Sequence, residues 1–252
     1  MNEYNFEAKE QKILRTRDLL FDYFYNDKFL GFITFLSTYV IVQFLYLLEN
    51  FYWLDLITKL IPILIIVGLY RFYNEAKKRD ASNKGLNIAV FGINLHLIIN
   101  TFIITIIIFL LIQFIFQATF LFIVVVLSVF VSVINLQGIY YISKSLSTIR
   151  DYFHNGRLSS EFTHSFSKAT NRLLISGIIN ILTFLLTLFN KEASEASVTN
   201  VKYIKIISLG NYSELNKILL TIIDLALPFI IAKVIDNTKV GIENINNIAN
   251  SE

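Results

Sequence analysis

Residues 86–116 read LNIAVFGINLHLIINTFIITIIIFLLIQFIF, an unbroken run with no charged side chain. A helix rises 1.5 Å per residue, so about 20 apolar residues cross the ~30 Å hydrocarbon core of a bilayer. This run exceeds that need, which predicts a span that tilts or extends beyond the membrane. Its many isoleucines favour strands in water. In hydrocarbon, however, every backbone N–H and C=O must be paired within the protein, and a single segment achieves that as a helix.

The same reading, applied along the chain, gives six spans: 29–48, 53–72, 90–116, 119–142, 172–190 and 217–235. Composition agrees. Hydrophobic residues make up 55% of the 252 and charged residues 16%, against roughly 25% charged in a soluble domain. The expected class is all-α: a polytopic membrane helical bundle of six transmembrane helices.

Flanking lysine and arginine set the orientation, because they concentrate on the cytoplasmic side. Lys9, Lys12, Arg15, Arg17 and Lys28 precede the first span. Arg71, Lys77, Lys78, Arg79 and Lys84 follow the second, and Lys144, Arg150, Arg157, Lys168 and Arg172 follow the fourth. The connections after the first and third spans have neither residue. Both termini are therefore expected in the cytoplasm, with the chain multi-pass in a cell (inner) membrane. The Ile-, Asn- and Lys-rich composition suggests a bacterial, AT-rich genome.

This divides the chain into a cytoplasmic amphipathic segment (1–28), a membrane domain (29–235) and a cytoplasmic tail (236–252). The membrane domain includes cytoplasmic segments at 73–89 and 143–171. Its 191–216 loop, where Lys191, Lys202 and Lys205 are balanced by Glu192, Glu195 and Glu214, is placed outside. The first 28 residues mix both charge signs and have no apolar core, unlike a cleavable signal. Within them, Ile13, Leu14, Leu20, Phe21 and Phe24 oppose Lys9, Lys12, Arg15 and Arg17. That pattern predicts a helix lying on the cytoplasmic membrane surface, or docking a soluble partner. The external 197–208 stretch reads as a short strand or a loop dipping back to the membrane.

An internal repeat is visible. Gly68-Leu69-Tyr70 leads to Arg79-Asp80, and Gly138-Ile139-Tyr140 leads to Arg150-Asp151. Gly92-Ile93-Asn94 is echoed by Gly177-Ile178-Ile179-Asn180, and Asp22-Tyr23-Phe24-Tyr25-Asn26 by Asp151-Tyr152-Phe153-His154-Asn155. The only two prolines, Pro62 and Pro228, lie in the second and sixth spans. The alternatives are chance matches in low-complexity sequence and three repeated helical hairpins. This arrangement of glycine-aromatic helix ends and basic cytoplasmic segments resembles small bacterial membrane domains of unknown function. The resemblance implies no functional residues.

Polar residues in the spans fall on stripes: Ser176, Asn180, Thr183 and Thr187; Ser128, Ser132 and Asn135; Lys217, Thr221, Asp224 and Pro228; Asn94, Thr101 and Thr105. At 3.6 residues per turn each set shares one helix face. Such faces either join helices through hydrogen bonds or line a hydrated pathway. The candidate intramembrane polar site is Asp224, Asn180, Asn135, Asn94 and His96. Asp224 stands out as a carboxylate at membrane depth, one turn before Pro228. The alternatives are an interfacial or hydrogen-bonded Asp224 and an interfacial His96. Asp55 and Lys59 read as an interfacial ion pair beside Phe51, Tyr52 and Trp53.

With no cysteine, disulfides, iron–sulfur clusters and thiolate metal sites are excluded. A net charge of +3, scattered along the chain, does not suit nucleic acid. His154 and His164 lack metal-ligand spacing. There is no G-x-S-x-G, H-E-x-x-H or P-loop, so no enzyme activity and no cofactor are expected. Two function classes remain. One is an integral membrane subunit of a transport or channel assembly, such as the permease partner of a separate ATPase. The other is a non-transporting accessory, scaffold or immunity protein. The expected partners are the lipid bilayer and a membrane protein or further copies of the chain.

Overall fold

The computed structural model describes residues 3–49, 53–114, 119–189 and 212–251. These form seven helices and no strand. They are α1 (Glu3–Phe24), α2 (Asp27–Glu49), α3 (Trp53–Lys78), α4 (Lys84–Phe114), α5 (Thr119–Asn155), α6 (Glu161–Phe189) and α7 (Tyr212–Asn250). The 197–208 stretch and most of the 191–216 loop lie outside the described residues.

Three helices are long and apolar enough to cross a membrane, over Asp27–Leu45, Lys84–Phe109 and Val126–Asn155. They mark a membrane-embedded protein, but they are fewer than the six spans expected. The count covers the described residues alone, and in α3, α6 and α7 the described part of the apolar stretch runs without a break into a charged one: Arg71 and Glu75, Lys168 and Arg172, and Lys233 and Asp236 lie within the same helices.

Helices α2 to α7 form a ring. Each packs on the next in order, and α7 returns to α2. Helix α1 contacts α3, α5 and α7, which are alternate members of the ring. The short turns α3–α4 and α5–α6, helix α1 and the last third of α7 all meet at one end, called here the charged end. Arg79 Nη1 and Nη2 lie 2.7 and 2.8 Å from Asp18 and Asp22. Arg17 Nε donates to the carbonyl of Phe153 at 3.2 Å, and Tyr23 Oη to that of Asn237 at 3.2 Å.

The main core sits at this end. Leu20, Phe21 and Phe24 of α1 are at most 3% exposed, buried with Phe72, Tyr152, Phe153, Phe162, Phe166, Ile242 and Ile245. Phe24 meets Phe72 and Phe153 with ring centroids 5.0 and 6.2 Å apart, and Phe21 meets Phe153 at 5.4 Å. Such pairs add about 0.5–1.5 kcal/mol each beyond the area they bury. This corrects the expectation of a surface helix: the apolar face of α1 is covered by the chain itself. In the 236–252 segment, residues 236–250 continue α7, with Ile242 and Ile245 in the core.

Local chemistry fixes the turns. α3 ends with Arg79 in the left-handed region (φ 53°), Arg79 N–H donating to Ala76 O and Asp80 N–H to Glu75 O. This is the Schellman arrangement, which satisfies the last carbonyls of a helix. The buried Glu75 carboxylate then accepts from Gly85 N–H at 3.0 and 3.1 Å, capping α4 from α3. Gly85 is required there, because an added Cβ would lie 2.2 Å from the backbone nitrogen of Phe72. Gly156 turns α5 into α6 with φ +60°, under Ile13 of α1. Asn26 Oδ1 caps α2 by accepting from Phe29 N–H at 2.8 Å.

Candidate functional site

Away from the charged end the ring helices separate around a cavity of about 680 Å³. All six ring helices line it. Its wall is mainly Phe, Leu, Ile and Val, and towards the charged end it closes on Phe24, Phe72, Leu86 and Ile149. Against that wall stands a belt of polar groups: Tyr39 and Gln43 from α2, His96 and Asn100 from α4, Asn135 from α5, Asn180 from α6 and Asp224 from α7.

Two of these residues stand at one level, since the Tyr39 hydroxyl reaches the Asp224 carboxylate.

Asp224 is held from the neighbouring helix α2, where the ring closes. Tyr39 Oη donates to its Oδ1, and Gln43 Nε2 donates to the Tyr39 oxygen. The result is a relay from Gln43 through Tyr39 to Asp224, with a hydroxyl bonded to the carboxylate, a strong class of hydrogen bond. One turn on, Pro228 has no N–H for the Asp224 carbonyl, so a backbone acceptor is left beside the acid. Both prolines of the chain line the cavity.

The structure sorts the five candidate residues. Asp224, Asn180, Asn135 and His96 line the cavity. Asn94 does not: it faces outward and its Oδ1 accepts from Ser143 Oγ at 2.6 Å, tying α4 to α5. The hydroxyls of the stripes are sorted too. Thr105, Ser132 and Thr183 donate to the carbonyls of Thr101, Ser128 and Ile179, four residues back in their own helices. Those hydroxyls satisfy themselves locally instead of bridging helices. The side chains of Thr187, Lys217, Asp55, Lys59 and Trp53, and residues Phe51 and Tyr52, lie outside the described ones.

Tyr39 and Gln43 are polar cavity-lining positions that the polar stripes did not include. The signal was present: Phe32, Leu36, Tyr39 and Gln43 follow i, i+4, i+7, i+11, and all four line the cavity. Among the described residues no Lys or Arg lines it. Among the described residues no group of three His, Cys, Asp or Glu could hold a metal ion. Glu161, outside the cavity at the start of α6, has its carboxyl held below the usual range by Lys144 Nζ at 2.8 Å. No family model matches the chain, and neither does any curated protein or solved structure.

Proposed function

We propose that this chain is a membrane transport protein whose ligand passes through the cavity inside its own helical ring. The observation that carries this reading is that Tyr39, His96, Asn180 and Asp224, from four different helices, all face one apolar-walled space inside the ring. Helix glue alone needs no such space, because close packing would serve it better. In this reading all six ring helices cross the bilayer, α3, α6 and α7 by their apolar halves. Both termini and all seven arginines then lie on the cytoplasmic side. The contacts of α1 with α3, α5 and α7, alternate members of the ring, fit three helical pairs, α2–α3, α4–α5 and α6–α7.

The chain has no cysteine, which provides the test. Single cysteines at cavity positions (Asn135→Cys, Asn180→Cys) and at outward-facing positions (Ile98→Cys, Phe102→Cys) are made in the full-length protein. They are then exposed to a membrane-impermeant maleimide in vesicles of both orientations. Ile98 and Phe102 are 67% and 66% exposed on the outer face of α4, where lipid would cover them. The expected result is labelling of the cavity pair from at least one side and protection of the outer pair. Protection of the cavity pair from both sides would leave a dry, structural polar belt and remove the transport reading.

A further inference from the structure

We propose that the outer face of the α5–α6 hairpin binds an anionic phospholipid, with Lys168 and Arg172 holding the phosphate and the exposed apolar strips of the two helices taking the acyl chains. This rests on the reading in which α6 crosses the bilayer by its apolar half, and it does not depend on the cavity.

Helical register builds the surface. On α5, Lys144 shares a face with Val133, Phe130 and Val126, which lie 11, 14 and 18 residues before it. On α6, Lys168 and Arg172 are one turn apart, and Ile175, Ile178 and Leu182 continue their side of the helix. All six apolar residues are exposed. The opposite sides of both helices, with Ile139 and Ile142 on α5 and Phe166 and Leu173 on α6, line the cavity. The cations therefore stand outside the ring, at the foot of a surface that meets acyl chains in a bilayer.

Charge then selects the ligand. Lys144 Nζ lies 2.8 Å from Glu161 and Arg150 Nε 3.2 Å from Asp151, so these two acids are matched. Lys168 Nζ sits 5.3 Å from the centre of the Tyr141 ring, and Arg172 stands beside Gly138 of α5. Among the described residues neither makes an ion pair, which leaves two cations in excess. The first hairpin has no such excess of its arginines: Arg71 meets Glu75, and Arg79 meets Asp18 and Asp22.

A phosphate suits the free pair, because the arginine fork bonds its oxygens two at a time and the lysine adds a point charge. Tyr140, exposed one turn before Lys144, is the kind of aromatic that settles at head-group level. A soluble anion would use the cations and leave the apolar strips unused. A zwitterionic lipid would cover the strips but bring its own cation towards Lys168 and Arg172. An anionic phospholipid meets both parts of the surface.

The test is native mass spectrometry of the purified full-length chain, titrated with phosphatidylglycerol and, separately, with phosphatidylcholine of the same acyl chains. We expect the first phosphatidylglycerol to bind at least about tenfold more tightly, since two cations at a membrane surface are together worth more than that. Lys168→Gln with Arg172→Gln should bring the two lipids within a few-fold of each other. Lys77→Gln with Lys78→Gln, which removes the same charge from the first hairpin, should keep the preference. Equal binding of both lipids by the unaltered protein, or equal losses in the two double variants, would overturn the proposal. Displacement of phosphatidylglycerol by millimolar inorganic phosphate would overturn it too, by making a soluble anion the ligand. If the Lys168/Arg172 double variant does not fold, Arg172→Gln alone decides, with a loss of at least about threefold expected. Ile178→Cys reports the span: labelling by the impermeant maleimide from either side would overturn the crossing of α6 and the site with it. Protection of Ile178→Cys leaves a failed lipid contrast to count against the site alone. Dry cavity cysteines remove the transport reading and leave the lipid site standing.

Discussion

The two ends of the ring treat the same helices in opposite ways. At the charged end, Phe24, Phe72 and Phe153 are buried to 3% exposure or less, and α1 fills the middle. Away from that end the six ring helices leave a space large enough for a ligand and line it with amides, an imidazole, a phenol and an acid. Tight packing and an open site cannot occupy the same layer, since each cavity forfeits contacts along its lining. Concentrating the packing at one end leaves the other free to hold a cavity and to move.

The largest expected effect tests whether the aromatic end carries the stability. Phe24→Ala removes a side chain that touches Phe29, Phe72 and Phe153. A buried Phe→Ala change costs about 3–5 kcal/mol. Leu36→Ala, on the half-exposed cavity wall, should cost less than half of that. Thermal melting of the two purified variants in one detergent makes the comparison. Equal losses would mean that the cavity layer is packed as firmly as the core, and the contrast would fail.

A second effect comes from overpacking within the first tight hairpin. In Gly85→Val, even the first side-chain carbon would lie 2.2 Å from the nitrogen of Phe72. Neither backbone can yield without separating α3 from α4, so a loss of at least about 1–3 kcal/mol is expected. Gly138 in the second hairpin offers a control. Its added carbon would meet only the flexible end of Leu173 at 3.2 Å, and Gly138→Ala should melt close to the unaltered protein. A Gly85→Val protein that melts normally would show that the charged end is softer than its burial implies.

How much of this could be read in advance depended on whether a side chain announces its partner. Apolar runs announce helices, because hydrocarbon leaves the backbone no alternative. Arginines announced one end, and in the structure Arg17 and Arg79 meet α1, α3 and α5 there. The amphipathic face of α1 announces only that something apolar covers it. Phe21 and Phe24 would look the same against lipid as against Phe153, so the sequence placed α1 on the membrane. Asn94 and Asn100 lie on a helix that is apolar all round, where spacing alone cannot tell an outward face from an inward one. A lone tyrosine in an apolar span such as Tyr39 does not announce its partner, and here it reaches an acid on α7.

A smaller effect concerns the cap between the two halves of the first hairpin. Glu75 is 6% exposed and accepts from both Gly85 N–H and Arg71 Nε, at 3.0 and 3.2 Å. Glu75→Ala removes an N-terminal cap worth about 1–2 kcal/mol. The loss should be local, so hydrogen exchange at the Gly85 amide should quicken more than exchange in α6. Uniform acceleration across both helices would mean that Glu75 supports the whole charged end and not one turn.

The smallest effect is a pH dependence at the surface of that end. Asp80 accepts from Ser82 N–H at 2.9 Å and Ser82 Oγ at 3.0 Å, and these bonds, the backbone one foremost, hold its carboxyl below the usual range. A carboxyl lowered in the folded state binds its proton less readily there than in the unfolded chain. Its stabilising contribution is therefore full above the unfolded value of about 3.9 and is lost as pH falls through the lower folded value. The difference in melting temperature between the unaltered protein and Asp80→Ala should then be larger at pH 6 than at pH 3. Glu161, lowered by Lys144, follows the same sign at the second turn. A difference that stays constant over this range would assign the effect of Asp80 to the shape of the turn and not to its charge. The ion pairs of Arg79 with Asp18 and Asp22 would then remain the charged contacts that brace this turn against α1.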